Sequence, residues 1–349
     1  MGALSSTIIG NKLGRRKTLV SGAFCASIGL ILQASSFSLA QMVVGRIVSG
    51  CGVGCVNAIV PVWQAECSKP KSRGKNVVII GLFIATGIAT AAWVNFGLSY
   101  IGGNSVSWRL PMAIPLVFTL WIMSFAFCFP ESPRWLVQRG RIDQAKQVMS
   151  ILDDVPIDSP AVQLEIASIE QACELESHKK AGFKHIITIG PQRLPYRIAL
   201  AILVNFFAQM TGANAISYYA TTIFRESLDF PANQSSLLAA GVLTWKIFAA
   251  SLSYFIVDRF GRKPLFMISG FGMSLSMTCL AICVSLIKEA AAGRAAVFFL
   301  FLYMTFFPLG FLGANFLYAT EIAPQDLRVH FSAVGTAVSR SLPPVLLCY

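Results

Sequence analysis

Charge is scarce in this chain. Only 13% of its 349 residues are Asp, Glu, Lys or Arg, against about 25% in a soluble domain. So few charges cannot cover a water-facing surface, which leaves lipid as the solvent for much of the molecule. Histidine is rarer still: His178, His185 and His330 are the whole complement. They lie in or beside polar segments and are assigned no role. The nine cysteines have neither zinc nor disulfide spacing. Cys51 and Cys55, like Cys279 and Cys283, stand four apart in apolar runs and share a helix face as small packing residues. With no His or carboxylate nearby, neither a metal nor any other cofactor is expected. There is no phosphate loop, so ATP-driven transport has no support. There is no nucleophile–base set, so a membrane enzyme has none either. No acidic residue lies mid-way along an apolar run, so proton coupling is unreadable here. Lys12 to Lys17 follow only a short apolar stretch, which does not suit a cleavable signal peptide.

What is abundant is apolar sequence: 55% of residues, with a mean hydropathy of +0.65. Windows of membrane length recur at 18–36, 42–63, 77–99, 109–129, 198–224, 236–257, 264–287 and 295–318. Residues 1–10 read as the end of a further helix and 331–349 as the start of another. The net charge of +12 reflects loop topology rather than nucleic-acid binding. Twenty-two of the 28 Lys and Arg fall in alternate loops, at 12–17, 69–75, 134–197, 259–263 and 328–340. Only Arg46, Arg109, Arg225, Lys288 and Arg294 lie on the other side, and Lys246 lies inside a span. The excess places the first set in the cytoplasm. The long loop after residue 130 is then cytoplasmic, with helical stretches at Ile142–Leu152 and Ala161–His178 lying along the membrane surface.

The chain repeats itself. Gly14-Arg15-Arg16-Lys17 has a partner in Gly261-Arg262-Lys263, and Gly45-Arg46 has one in Gly293-Arg294. Glu66 and Arg73 are seven apart, as are Glu321 and Arg328. Ordered matches at similar offsets predict two parallel halves joined by the central loop.

Other strings stand beside these: Gly50, Gly52 and Gly54 after Gly45-Arg46; Pro61 before Glu66; and Pro130-Glu131-Ser132-Pro133-Arg134-Trp135-Leu136. Gln209-Met210-Thr211-Gly212-Ala213-Asn214, Asp258-Arg259-Phe260-Gly261 and Tyr318 before Glu321 complete them. Running nearly end to end, they resemble the sugar porter family of the major facilitator superfamily, most closely its fungal hexose and disaccharide permeases. The resemblance implies an all-α membrane protein, a two-half bundle of twelve helices. Eight would be complete here and two partial, the second and the eleventh. Residues 1–130 would form the N-terminal half, 131–196 a cytoplasmic linker with short surface helices, and 197–349 the C-terminal half. The resemblance also implies a multi-pass protein of the plasma membrane that moves a monosaccharide or small disaccharide by facilitated diffusion or proton symport. Its partners would be the sugar, the lipid bilayer and, for a symporter, protons. After Val338 the family pattern stops, and the Ser-Arg-Ser-Leu-Pro-Pro run there suits a spanning helix poorly. A tail foreign to the native protein is the expectation at that point. A sugar sensor that binds without transporting, and an inactive fragment, stay open as alternatives.

Two sets of residues follow. The charged helix ends, Arg15, Arg16, Glu66, Arg73, Glu131, Arg134, Asp258, Arg262, Glu321 and Arg328, are expected to form a cytoplasmic gate. Pairs bridging the halves would hold that side shut. The sugar site is expected among polar residues inside spans, which offer hydrogen bonds to hydroxyls and an aromatic face to the ring. Gln209, Thr211, Asn214 and Tyr218 read as one helix, with 211, 214 and 218 on one face; Gly212 would let that helix bend. By resemblance Gln209, Asn214 and Tyr218 match binding positions. The chain departs from the family at Ala208, Gly81 and Phe316, the last beside Asn315, and has fewer amides as a result. Lys246 departs further, falling where many members have asparagine. An ammonium at mid-span must face water or a partner. It is expected either to hydrogen-bond substrate, such as the carboxylate of a sugar acid, or to snorkel to the interface or be held in an internal pair.

Overall fold

The structure is a computed structural model that describes residues 2–68, 73–100, 105–177, 194–286 and 290–313, with 315, 318, 321–323 and 331–338. The described chain is helical: α1 Gly2–Leu13, α2 Arg15–Ala34, α3 Leu39–Cys67, α4 Arg73–Ser99, α5 Val106–Phe125, α6 Pro133–Gln138, α7 Ile142–Asp153, α8 Pro160–Ser177, α9 Leu194–Met210, α10 Ala213–Thr222, α11 Ala232–Phe260, α12 Arg262–Ser285 and α13 Ala290–Phe307. A further helix, α14, covers 331–338. Eight of the described segments are long and apolar enough to cross a membrane, each within a few residues of an expected window. Their apolar side chains face outward. Phe118, Trp121 and Phe125 of α5 are more than half exposed, as lipid-solvated side chains are.

Packing groups the chain into two units. The first comprises Met1–Pro70, Met112–Leu203 and Ala319–Ala337; the second comprises Lys71–Pro111, Val204–Tyr318 and Val338–Tyr349. The units follow contacts rather than chain order. Helix α4 lies upstream of residue 130 but groups with α11, and α14 groups with the N-terminal helices.

In the first unit, α2 and α3 form a tight hairpin. A Cβ on Gly52 would lie 2.3 Å from the Ala26 backbone nitrogen, so only glycine permits this approach. Buried Gln33 ties the hairpin by donating to the Gly45 carbonyl (3.1 Å) and to Ser49 Oγ (2.7 Å). Ser38 caps α3 by accepting from the Gln41 amide at 3.3 Å. The expected surface helices exist as α7 and α8. With α6, which the sequence reading did not separate, they bury a small core of Leu136, Val137, Ala145, Met149, Val162 and Ile166. Helix α14 packs Ala333 against Ala3 and Ala58, and Ser332 Oγ donates to the Ala58 carbonyl at 2.9 Å.

In the second unit, α4 and α11 pack along their length, joined by Trp93 Nε1 donating to Thr244 Oγ1 at 2.8 Å. The core holds Ala85, Phe224, Val242, Leu300, Tyr303 and Met304. Pro308 ends the α13 ladder and opens a π-type turn, Pro308–Leu312. Serines of neighbouring helices donate to carbonyls of that stretch: Ser269 to Phe306 (2.7 Å) and Ser253 to Leu309 (3.2 Å). Lipid offers backbone groups no partner, so these bonds are what the turn requires.

Candidate functional site

Within the second unit, the helix expected to run through 209–218 is broken. Gly212 has φ +79°, the left-handed conformation, and separates α9 from α10. Thr211 therefore lies just past Met210, the last residue of α9, and Asn214 is the second residue of α10, so the expected common face of 211, 214 and 218 does not exist as such. The break is held from both sides. Tyr303 of α13 donates its hydroxyl to the Thr211 carbonyl at 2.5 Å, and the Ala213 amide donates to Thr211 Oγ1 at 3.4 Å. Across it, Asn214 Nδ2 donates to Gln209 Oε1 at 2.5 Å. The two amides satisfy each other and leave a donor and an acceptor, from Gln209 Nε2 and Asn214 Oδ1, for a ligand.

One turn further, Ser217 and Tyr218 line a cavity of ≈170 Å3 with Asn95, Thr221, Ser236 and Leu243. Tyr218 is largely exposed, so its ring face is uncovered. Ser217 also receives Lys246: Nζ donates to Ser217 Oγ at 3.3 Å and sits 5.0 Å from the centre of the Phe307 ring. Lys246 itself is only 1% exposed. Asn315 is buried, and Phe316 lies outside the described residues.

The first unit carries the charged junction. Arg15 grips Glu66 with two parallel bonds, Nε to Oε2 at 2.8 Å and Nη2 to Oε1 at 2.9 Å, and its Nη1 donates to the Gly10 carbonyl. Both side chains are nearly solvent-free, at 3% and 2% exposure. Glu131 plays a different part. Its carboxylate accepts the backbone amides of Arg15 (2.9 Å), Arg16 (3.2 Å) and Ser132 (3.0 Å). It therefore caps α2 from 116 residues away, placing a negative charge on the helix's positive end. Gly14, at φ +91°, makes room: a Cβ there would lie 2.6 Å from Glu131 Oε2. The opposite polarity is met too. Trp135 Nε1 donates to the Asn11 carbonyl (3.1 Å) and Arg139 donates to the Lys12 carbonyl (2.8 Å), closing the C-terminus of α1. Arg16 donates to the Phe127 and Phe129 carbonyls and lies over the Phe127 ring at 5.3 Å. Arg134 is buried and Glu321 exposed.

A family model described as "Sugar (and other) transporter" matches residues 1–341. The chain belongs to that family. Among the relatives of this sugar-transporter family member, "Sugar transporter STL1" of Saccharomyces cerevisiae is 32% identical over 343 residues, covering 97% of this chain and 60% of that protein. "MFS-type transporter oryC" of Aspergillus oryzae is 36% identical over 343 residues, covering 96% of this chain and 63% of that protein. The chain thus spans about 60% of the length of these curated relatives. A solved structure of the proton:xylose symporter XylE, bound to 6-bromo-6-deoxy-D-glucose, superposes with a TM-score of 0.82 at 24% identity, over 97% of this chain and 72% of that one. The fold is that of the major facilitator superfamily, an integral multi-pass membrane bundle.

In this family member the structure gathers Gln209, Thr211 and Asn214 at one helix break, with Tyr218 and Lys246 joined to it through Ser217. At the junction, Arg15, Arg16, Glu66 and Glu131 bond to one another or to nearby backbone inside the first unit. Arg328 lies outside the described residues, as do the side chains of Arg73 and Asp258. Ser217, Tyr303, Trp135 and Arg139 were not expected. Trp135 and Arg139 carried a signal, four apart in sequence at one helix end, and Tyr303 is one of two tyrosines in the 295–318 window, with Tyr318.

Proposed function

We propose that this chain is the greater part of a carbohydrate transporter, moving a monosaccharide or small disaccharide across the plasma membrane by alternating access. The observation that carries the reading is the break at Gly212. It sets two amides one helical turn before an aromatic ring, Tyr218, that lines a small polar cavity. Amides converging on an aromatic suit hydroxyls and a sugar ring face. A helix interrupted at the binding site suits a site whose two sides move in turn.

The two-half division belongs to the same reading, supported by the repeated motifs and by matching backbone at Gly14 (φ 91°, ψ 170°) and Gly261 (φ 78°, ψ 174°). So does the gate of charged helix ends, including Arg73, Asp258, Arg262, Glu321 and Arg328. Each such pair contributes only ~0–1 kcal/mol where exposed, yet several together bias two states a few kcal/mol apart. The buried Arg15–Glu66 pair and the Glu131 cap keep the first unit's helix ends together as it moves.

The test is uptake of labelled sugars into vesicles, with and without a pH gradient that is acid outside. It uses this chain and a version extended by the additional helices of its longer relatives. Saturable uptake supports the reading, and acceleration by the gradient identifies proton symport. Binding without uptake by the extended protein overturns transport in favour of sensing.

A further inference from the structure

We propose that the substrate of this site carries a carboxylate, as an aldonic or uronic acid does, and that Lys246 receives it. The inference rests on the carbohydrate reading above and narrows it to a chemical class.

Lys246 sits near the middle of the Ala232–Val257 span and is 1% exposed. Each end of that span is eleven or more residues away, a distance of roughly 16 Å at 1.5 Å per residue, so the ammonium cannot reach the interface. Its surroundings are too neutral to hold a charge unaided. Among the described residues no carboxylate pairs with it. Its contacts are the Ser217 hydroxyl at 3.3 Å and the face of Phe307 at 5.0 Å. Ser217 spends its own proton on the Ala213 carbonyl, at 2.8 Å, so toward Lys246 it only accepts. Two N–H groups of the ammonium remain to be met. A buried cation with one neutral hydrogen bond and one ring face is under-compensated.

The missing anion has a place to come from. Ser217, which touches the ammonium, also lines the ≈170 Å3 cavity, and so does Leu243, one turn before Lys246 on α11. Asn95, Thr221, Ser236 and Tyr218 complete that wall with an amide and hydroxyls. A ligand with hydroxyls at one end and a carboxylate at the other matches polar wall and buried ammonium together. A neutral sugar would leave the charge unmet.

The test is equilibrium binding of radiolabelled D-gluconate and D-galacturonate, against D-glucose and D-galactose, to the chain in lipid nanodiscs. A charged hydrogen bond corresponds to roughly 10- to 100-fold in affinity, so the acids should bind tighter than their neutral counterparts by that factor. Lys246→Asn should bring the acid-to-neutral ratio to near one, and Lys246→Arg should keep part of it. Neutral sugars binding as well as the acids to the parent chain overturns the inference and leaves the carbohydrate reading standing. An unchanged ratio in a folded Lys246→Asn protein overturns it equally and makes Lys246 a packing residue. If neither class binds, the carbohydrate reading falls and takes this inference with it.

Discussion

Glu131 offers the most informative perturbation. Its carboxylate accepts three backbone amides, two of them at the first turn of α2. Replacement by alanine removes a capping acceptor, typically ~1 kcal/mol. It also removes a negative charge from a helix N-terminus, which contributes about 0.3–1 kcal/mol and up to ~2 where partly buried. Together these give a loss of about 2 kcal/mol. In a unit of this size that corresponds to a fall in Tm of roughly 4–8 °C. Glu131→Gln keeps an acceptor oxygen but not the charge, so its shift should be about half. The assay is thermal unfolding of the purified chain in mild detergent, followed by circular dichroism at 222 nm. The glutamine effect should shrink most with salt, because it consists of the lost charge alone, whereas the alanine variant also loses the cap, which salt does not screen. An alanine variant melting within ~1 °C of the parent would refute the capping argument and return Glu131 to the role of a plain gate charge.

Two further substitutions test the remaining geometry. Arg15→Met strands the Glu66 carboxylate, 2% exposed, and should destabilise by about 3–5 kcal/mol; combining it with Glu66→Leu should restore most of that, and a double variant no better than the single would contradict the pairing. Gly212→Ala forces a Cβ into a left-handed backbone at φ +79°, at roughly 1–2 kcal/mol. Asn should be tolerated better than Ala there, and equal melting of the two would argue against the break.

The spans were legible because membrane length and hydropathy are local properties, and each of the eight windows overlaps a described segment long and apolar enough to cross a membrane. The glycine–arginine repeat was legible as well, and its two glycines share one backbone conformation. Which helices pack together was not. A helix apolar on every side carries no stripe to say which neighbour it meets, so the grouping of α4 with α11, and of α14 with α3, left no mark in the pattern. At the site, the residue types were readable but not their roles. Gly212 marked a bend, yet the full break depends on Tyr303, ninety-two residues away. Glu131 looked like a side-chain ion-pair partner because acids and bases are visible in sequence. Its partners are backbone amides, which every residue has. Lys246 was conspicuous as a cation in an apolar run, while Ser217 and Phe307, which meet it, were ordinary residues of their helices.

The most direct test of the central claim is saturable uptake of labelled sugar into vesicles by the helix-extended protein, compared with its Asn214→Leu variant. The account predicts uptake above protein-free vesicles that falls at least about tenfold in the variant, since a site built to hydrogen-bond a hydroxyl loses that partner. Uptake indifferent to Asn214→Leu would contradict it.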